Sequence, residues 1–324
     1  MRCIAKHQTV LLAVVLMAAA GPVACGGSGG AADEARTASG GPPQPRARVD
    51  TDGLREVGRI AVVAADETGR QDVHVLDGAG HLRNVTRDSA MEADVAWSPD
   101  GRRLVFSSDR NGTLDLYIAD ADGGAVRRLT DLPAAETNAA WSPDGTRLAF
   151  GLEGGNEEQF AIYVLPADGG RATKLFQRAG CYAGNPDWSP DGERLTFDVD
   201  CAGGGEIDVY AMAADGSAVR RLTRAAGDDG GAKWSPDGRR IAFHSDRGPA
   251  VYSMAPDGGR VRRLSSRLTF EDAGAAWSAD GRAILMASGS GSDLYRLDLG
   301  RRKPRSVVRG LDISAVSVAR VPTR

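Results

Sequence analysis

The pentapeptide Trp-Ser-Pro-Asp-Gly begins at Trp97, Trp141, Trp188 and Trp234, and a fifth copy from Trp277 reads Trp-Ser-Ala-Asp-Gly. Successive copies lie 44, 47, 46 and 43 residues apart, and together they use all five tryptophans of the chain. A unit of this length cannot bury its own apolar face. It must stack on its neighbours, in a solenoid or in a closed propeller. A chain of 324 residues accommodates such an array as a single all-β domain. Its 42 glycines, without a triplet period, suit a chain that turns often.

Inside each unit apolar and polar residues alternate with period two, which predicts strands. A short apolar strand follows the Asp-Gly: Leu104-Val105-Phe106, Leu148-Ala149-Phe150, Leu195-Thr196-Phe197 and Ile241-Ala242-Phe243. The next strand centres on a tyrosine, at Tyr117, Tyr163, Tyr210, Tyr252 and Tyr295. A second Asp-Gly turn, at Asp122, Asp168, Asp215 and Asp257, leads into a fourth strand. Asp-Gly between apolar runs signals a hairpin, because Gly accepts the positive φ of such turns. Four antiparallel strands make a propeller blade.

Residues 58–87 form a sixth unit, with 60–63 as its second strand, His74 in the Tyr slot and Asp77-Gly78 as its turn. Its missing first strand is available at the other end, where residues 313–318 alternate without a hairpin partner and Ser317 falls in the Trp slot. Placing that segment in blade 1 leaves no open sheet edge. The expected fold is all-β, a six-bladed β-propeller of four-stranded antiparallel blades closed by the C-terminal strand.

The series Trp-Ser-Pro-Asp-Gly, Ala-Phe, Ser-Asp-Arg (Ser108-Asp109-Arg110, Ser245-Asp246-Arg247), Tyr and Asp-Gly resembles the TolB-type, or WD40-like, β-propeller repeat across residues 58–322. TolB itself carries a further N-terminal domain, where this chain has only a short stretch before the repeats. The resemblance implies a cell-envelope protein that binds a partner, as TolB binds a peptidoglycan-associated lipoprotein through its propeller.

At the N-terminus, Arg2 and Lys6 precede an apolar run over residues 10–20. That length suits a signal-peptide core and is too short to span a bilayer. Pro22-Val23-Ala24-Cys25 then resembles the lipobox of bacterial lipoproteins, with Pro22 where Leu is usual, and implies a lipid on Cys25. Cleavage near residues 18–20, with Cys25 unmodified, is the alternative. Loss of residues 1–24 removes Arg2 and Lys6 and takes the formal charge from −3 to −5. Residues 25–57 are rich in Gly, Ser, Ala and Pro and lack apolar periodicity, which predicts a flexible tether.

Cys3 belongs to the leader, so Cys181 and Cys201 are the thiols of an exported body, where oxidation is permitted. Each is ten residues from Asp191, in the turn of one hairpin. Residues equidistant from a turn face each other with Cβ atoms about 4.5–5.5 Å apart, near enough for a disulfide. A bridge closing a loop of about 20 residues stabilises by roughly 3 kcal/mol in the chain-entropy model. Two free thiols kept apart by a bulge are the other arrangement.

Fold alone does not decide chemistry. Beyond the leader the histidines are His74, His81 and His244, with no His-Glu-x-x-His, histidine cluster or zinc-spaced cysteine pair. The His-rich metal pocket of related-looking propeller lyases is therefore not expected. No Gly-x-Ser-x-Gly elbow joins a strand to a helix, and no hydrolase domain follows the repeats. The Asp-rich turns lack EF-hand spacing. No metal or cofactor is expected.

One constellation is a candidate site. Five residues before a Trp stand Glu92, Glu136, Asp229 and Asp272, with Ala183 in blade 4, and Asp312 joins them if Ser317 takes the Trp slot. These carboxylates are expected around one mouth of the channel, to bind a cation or a basic partner segment. Alternatively each is tied to loop amides or to an Arg such as Arg110 or Arg247. A formal charge of −3 offers no basic surplus for nucleic acid. The expected protein is a monomeric, non-enzymatic, lipid-anchored envelope scaffold for a protein or peptide partner. A glycan lyase or hydrolase with an unrecognised site, or a small-ligand sensor, are the alternatives.

Overall fold

The computed structural model describes residues 47–54, 57–77, 79–154, 160–201, 206–248, 250–265, 275–287 and 293–319. In chain order, β1 (Arg48–Val49) and the short helix α1 (Thr51–Leu54) precede β2 (Ile60–Ala65), β3 (Gln71–Leu76) and β4 (Leu82–Asn84). Blade 2 is β5 (Glu92–Trp97), β6 (Arg103–Ser108), β7 (Asp115–Asp120) and β8 (Arg127–Arg128). Blade 3 is β9 (Ala135–Trp141), β10 (Arg147–Glu153), β11 (Ala161–Pro166) and β12 (Thr173–Gln177). Blade 4 is β13 (Cys181–Trp188), β14 (Arg194–Cys201), β15 (Ile207–Ala213) and β16 (Arg220–Arg221). Blade 5 is β17 (Asp229–Trp234), β18 (Ile241–Ser245), β19 (Ala250–Met254) and β20 (Arg262–Arg263). Blade 6 is β21 (Ala275–Trp277), β22 (Ala283–Ala287), β23 (Asp293–Asp298) and β24 (Arg305–Arg309), and β25 (Asp312–Val318) ends the fold.

These strands form six antiparallel sheets, and β25 completes blade 1 in the order β25-β2-β3-β4. Innermost strands touch in sequence from β25 through β5, β9, β13, β17 and β21 and back to β25. The expected six-bladed propeller and its closure are present. Every apolar cluster is built from residues within 47–319, so the body from Pro45 onward supplies its own core.

The repeat motif explains both the turn and the blade-to-blade joint. Ser98 Oγ donates to Asp100 Oδ1 (2.6 Å) and accepts from the Arg103 amide (2.9 Å), while Asp100 accepts from the Arg102 amide. Ser142, Ser189, Ser235 and Ser278 repeat this arrangement. The hydroxyl of Ser142 and the Thr146 amide hold the Asp144 carboxyl down at about 2. Two residues past each Gly but the last stands an arginine that lies over the tryptophan of the next blade. Arg103 is 5.0 Å from the Trp141 ring, Arg147 4.5 Å from Trp188, Arg194 4.7 Å from Trp234 and Arg240 5.1 Å from Trp277. Arg59 covers Trp97 at 4.6 Å. Each such contact contributes about 0.5–2 kcal/mol.

Blade 1 departs from the pattern in a way that corrects the expected register. Val318 pairs with Ile60 as Trp97 pairs with Leu104, and the Ala319 amide bonds the Arg59 carbonyl as Ser98 bonds Arg103. Val318, not Ser317, therefore occupies the Trp slot. With no indole to cover, blade 6 carries Ala283 at its arginine position. The missing proline of the fifth copy has a similar cause. The Ala279 N–H donates to the Val57 carbonyl at 2.9 Å, a bond that proline cannot make. Because four copies hold proline at this point of the turn, Ala279→Pro isolates that one bond. It is expected to cost about 1–3 kcal/mol, read as a lower denaturation midpoint with an unchanged slope.

The body also begins earlier than the periodicity suggests. Arg48 and Val49 pair with Arg309 and Val308, adding β1 to the outer edge of blade 6, and Leu54 and Val57 are buried against Val307 and Leu311. Residues 47–54 and Val57, read above as the end of the tether, pack with the propeller.

Candidate binding site in the propeller channel

The carboxylate positions are not an open rim. Glu92, Glu136 and Asp229 are 0% exposed. Glu92 accepts from Thr86 (3.1 Å), Ser108 (3.1 Å) and Arg110 (3.0 Å), joining the chain that enters blade 2 to the blade itself. Glu136 accepts from the Leu116 and Leu132 amides, both at 3.1 Å, and from Thr130. Asp229 is paired with Arg247, which also donates to Ser245. Asp312 is exposed and one residue out of step, because Ile313 takes the equivalent slot opposite Ala64. Asp272 lies outside the described residues. Glu92, Glu136 and Asp229 are buried and offer no face to a cation or a basic segment in solution, and their bonds tie loops to blades.

Burial, with Asp88 beside it, pushes the Glu92 carboxyl up to about 8, against the downward pull of Ser108, Arg110 and Thr86. The folded state thus holds this proton more tightly than the unfolded chain, whose ordinary value is 4.5. Its stabilising contribution is complete below pH 4.5 and declines as pH rises to about 8. Glu92→Gln keeps the shape, and Arg110 retains Asp88 at 2.9 Å. That variant should show a flatter dependence of unfolding free energy on pH across this window, measured by urea titration.

On the innermost strands, which ring the channel, a second set of polar positions stands two residues further on. Each innermost strand of blades 2 to 5 has a register shift there, and a bulge re-aims the side chain it carries. The residues are Asp94, Asn138, Asn185 and Gly231, with φ of 55°, 52° and 61° at the last three. Asn and Gly are the types that accept the left-handed region. Asp94 Oδ2 accepts from the Asn138 amide of the next blade at 2.9 Å. Asp198, on β14, accepts from Asn185 Nδ2 (2.9 Å) and from the Gly231 amide (2.8 Å). Its Oδ1 has no partner, although the residue is only 2% exposed.

Burial raises the carboxyls of both Asp94 and Asp198, and the positive charge of Lys233 lowers both. Blades 2 and 5 face each other across a six-membered ring, so Lys233 serves both walls. Asp187 accepts from the Trp234 amide at 2.8 Å, and His244 lies beside Gly230 and Gly231. In blade 1 the position of Asp94 is taken by Ala315, and at the position of Lys233 blades 2, 3 and 6 carry Ala96, Ala140 and Ala276 and blade 1 carries Ser317. The charged and amide side chains of these positions are thus on blades 2 to 5.

Period-two alternation hides these residues, whereas the carboxylates five residues before a Trp stand out in the repeat. The signal was the run Asp94, Asn138, Asn185, Gly231 at one fixed offset from them. The other candidates resolve simply. Cys181 and Cys201 are cross-strand partners and form a disulfide. His74 is buried with Nδ1 3.0 Å from the Asp72 carbonyl, and burial lowers its pKa. His81 is exposed beside Asp77. Cys25 lies outside the described residues. Among those residues no group of three His, Cys, Asp or Glu side chains is arranged to hold a metal.

A closed ring of six four-stranded blades, joined by Arg–Trp contacts and lined by bulged inner strands, defines a β-propeller of the repeat-built class. The family described as TolB beta propeller domain matches residues 56–175 and 175–311, and the chain belongs to that family. The Tol-Pal system protein TolB of Bordetella pertussis is 36% identical over 47 residues, which are 14% of this chain and 11% of that protein. That of Thioalkalivibrio sulfidiphilus is 34% identical over 74 residues, 22% of this chain and 17% of its own length. The chain thus matches less than a fifth of these curated relatives. Among solved structures, TolB from Acinetobacter baumannii superposes with a TM-score of 0.69 at 21% identity, covering 80% of this chain and 66% of that one. An oligogalacturonate lyase in complex with manganese reaches 0.55 at 17% identity, over 81% and 75% of the two chains. At these identities the superpositions speak to the fold alone.

Proposed function

We propose that this protein is an exported, lipid-anchored envelope scaffold that binds a protein or peptide partner at the channel face of its propeller and catalyses no reaction. The observation that carries the reading is the set of polar groups on the bulged inner strands of blades 2 to 5. Asp94, Asn138 and Asn185 offer acceptors and amides to an entering segment, and Lys233 offers a charge. An extended peptide has the matching needs, since its backbone demands hydrogen bonds while its side chains alternate.

Family membership and the name of the curated relatives, Tol-Pal system proteins, support a partner in the cell envelope. The charged start, the apolar run and Cys25 support export through a leader of residues 1–24 and a lipid anchor, with the stretch from Cys25 to residue 46 as tether. The Cys181–Cys201 disulfide suits an oxidising compartment. No helix among the described residues is long and apolar enough to cross a membrane.

The test is crosslinking in the native envelope, followed by identification of the captured protein and titration of its binding in vitro. Lys233→Glu combined with Asp94→Asn should weaken that binding at least tenfold while leaving the fold intact by circular dichroism. Unchanged capture by this variant, or turnover of envelope polysaccharides by the purified chain, would overturn the proposal.

A further inference from the structure

We infer that the outer edge of blade 6 docks the propeller on an anionic membrane surface. The inference rests on the lipid-anchor reading above for its geometry, and on charge for its chemistry. Five blades turn from their third to their fourth strand through Asp-Gly, at Asp77, Asp122, Asp168, Asp215 and Asp257. Blade 6 turns instead through Leu299-Gly300-Arg301-Arg302-Lys303-Pro304. A repeated acidic turn has been replaced, once, by three consecutive cations.

The surroundings extend the patch. Arg301, Arg302, Lys303, Arg305 and Arg309 are all exposed, as is Arg48 on the adjoining β1. Arg48 stands directly across from Arg309, a like-charge pair that destabilises a bare sheet edge. Around this edge the exposed cations outnumber the carboxylates. Asp298 is shared between Arg296 at 2.6 Å and Arg305 at 3.8 Å, and Asp293 accepts from Ser306 beside Arg309. Asp50 and Asp52 are the exposed acids, Asp50 lying 3.6 Å from Arg305. Six exposed cations against two exposed carboxylates, in a chain of formal charge −3, is local segregation of charge.

The position of the patch selects the occupant. β1 is the edge strand at which the chain enters the propeller, and the stretch between Cys25 and Ala47 attaches there. On the lipid-anchor reading, the chain that leaves the lipid enters the fold at this edge. One anchor combined with a polybasic surface is the usual pair of signals for stable membrane residence. Each cation close to an anionic surface raises partitioning by about fivefold.

The test uses the propeller body, residues 45–324, whose core and closing strand are its own. It is sedimented with vesicles of phosphatidylcholine alone or with one-third phosphatidylglycerol, at low and high salt. Binding is expected to the anionic vesicles at low salt, and the triple variant R301E/R302E/K303E should bind them at least 100-fold less. The control R102E/R171E/R239E, with the same change of charge on other blades, should bind like the parent. Equal binding to both vesicles, loss of binding in the control as well, or capture of a soluble polyanion such as polyglutamate with no vesicle binding would overturn the inference. Radiolabelled palmitate incorporation by the whole chain reads the anchor separately. Labelling without vesicle binding sinks the patch alone, whereas vesicle binding without labelling sinks the anchor alone.

Discussion

Replacing Arg247 by alanine is expected to destabilise the propeller by about 3 kcal/mol or more, one of the largest losses a single surface-reaching side chain can produce here. The reason is what it leaves behind. Asp229 is wholly buried, and its Oδ2 depends on the Arg247 guanidinium, while Oδ1 has no partner. Removing the cation strands a charge in a site that water does not reach. Removing both groups should be far milder, because two blades of the same ring already do without them. Blade 4 places Ala183 against Val199, and blade 1 places Ile313 against Ala64. The double variant D229A/R247A should therefore recover most of the loss, giving a coupling energy of about 2 kcal/mol or more in a urea double-mutant cycle. Additive losses would show that the pair is not a unit.

That comparison between blades also explains what the sequence makes legible. In blades 2 and 5 the buried carboxylate meets a serine opposite and an arginine two residues later, Ser108 with Arg110 and Ser245 with Arg247, whereas Glu136 of blade 3 stands opposite Leu152 and is held by backbone amides and Thr130. Where Val199 or Ala64 replaces the serine, the acid is gone too. For blades 2 and 5 this pattern was available without a structure, but the amide ties of Glu136 were not. The blade count, the turns and the disulfide were legible for a related reason, since hairpin geometry is local and repeats five times.

The register of blade 1 was not legible, because its inner strand arrives from the far end of the chain with no turn to set the alignment. A one-residue slip there moves a carboxylate from a buried slot to solvent, as Asp312 shows. The channel residues were hidden by a different cause. Alternation assigns a strand residue to the core or to the outside, and a bulge breaks that rule at Asp94, Asn138, Asn185 and Gly231. Nor did composition announce β1, since Arg48 and Val49 are held by pairing with β24 and not by any apolar run of their own.

Ending the chain at Gly310 is expected to abolish cooperative folding altogether. The lost segment holds Leu311, Ile313, Val316 and Val318, all buried and all in the cluster that joins blade 6 to blade 1. At about 1.5–3 kcal/mol for each side chain, their burial amounts to roughly 6–12 kcal/mol, comparable with the whole stability of a typical domain. The effect is larger than that sum implies, because removal of β25 also unpairs β2 along its length. Ile60, Ala61, Val62 and Val63 would then form an exposed apolar edge, a template for aggregation. The truncated chain should sediment as aggregate or melt without a transition, and a peptide of residues 311–319 added in trans should restore a soluble ring. The same peptide carrying Ile313→Asp should not, since that side chain enters the core between Ala64 and its neighbours. A truncated chain that melts at the parent temperature would mean that the blades hold together without closure, and the Arg–Trp contacts would have to account for it.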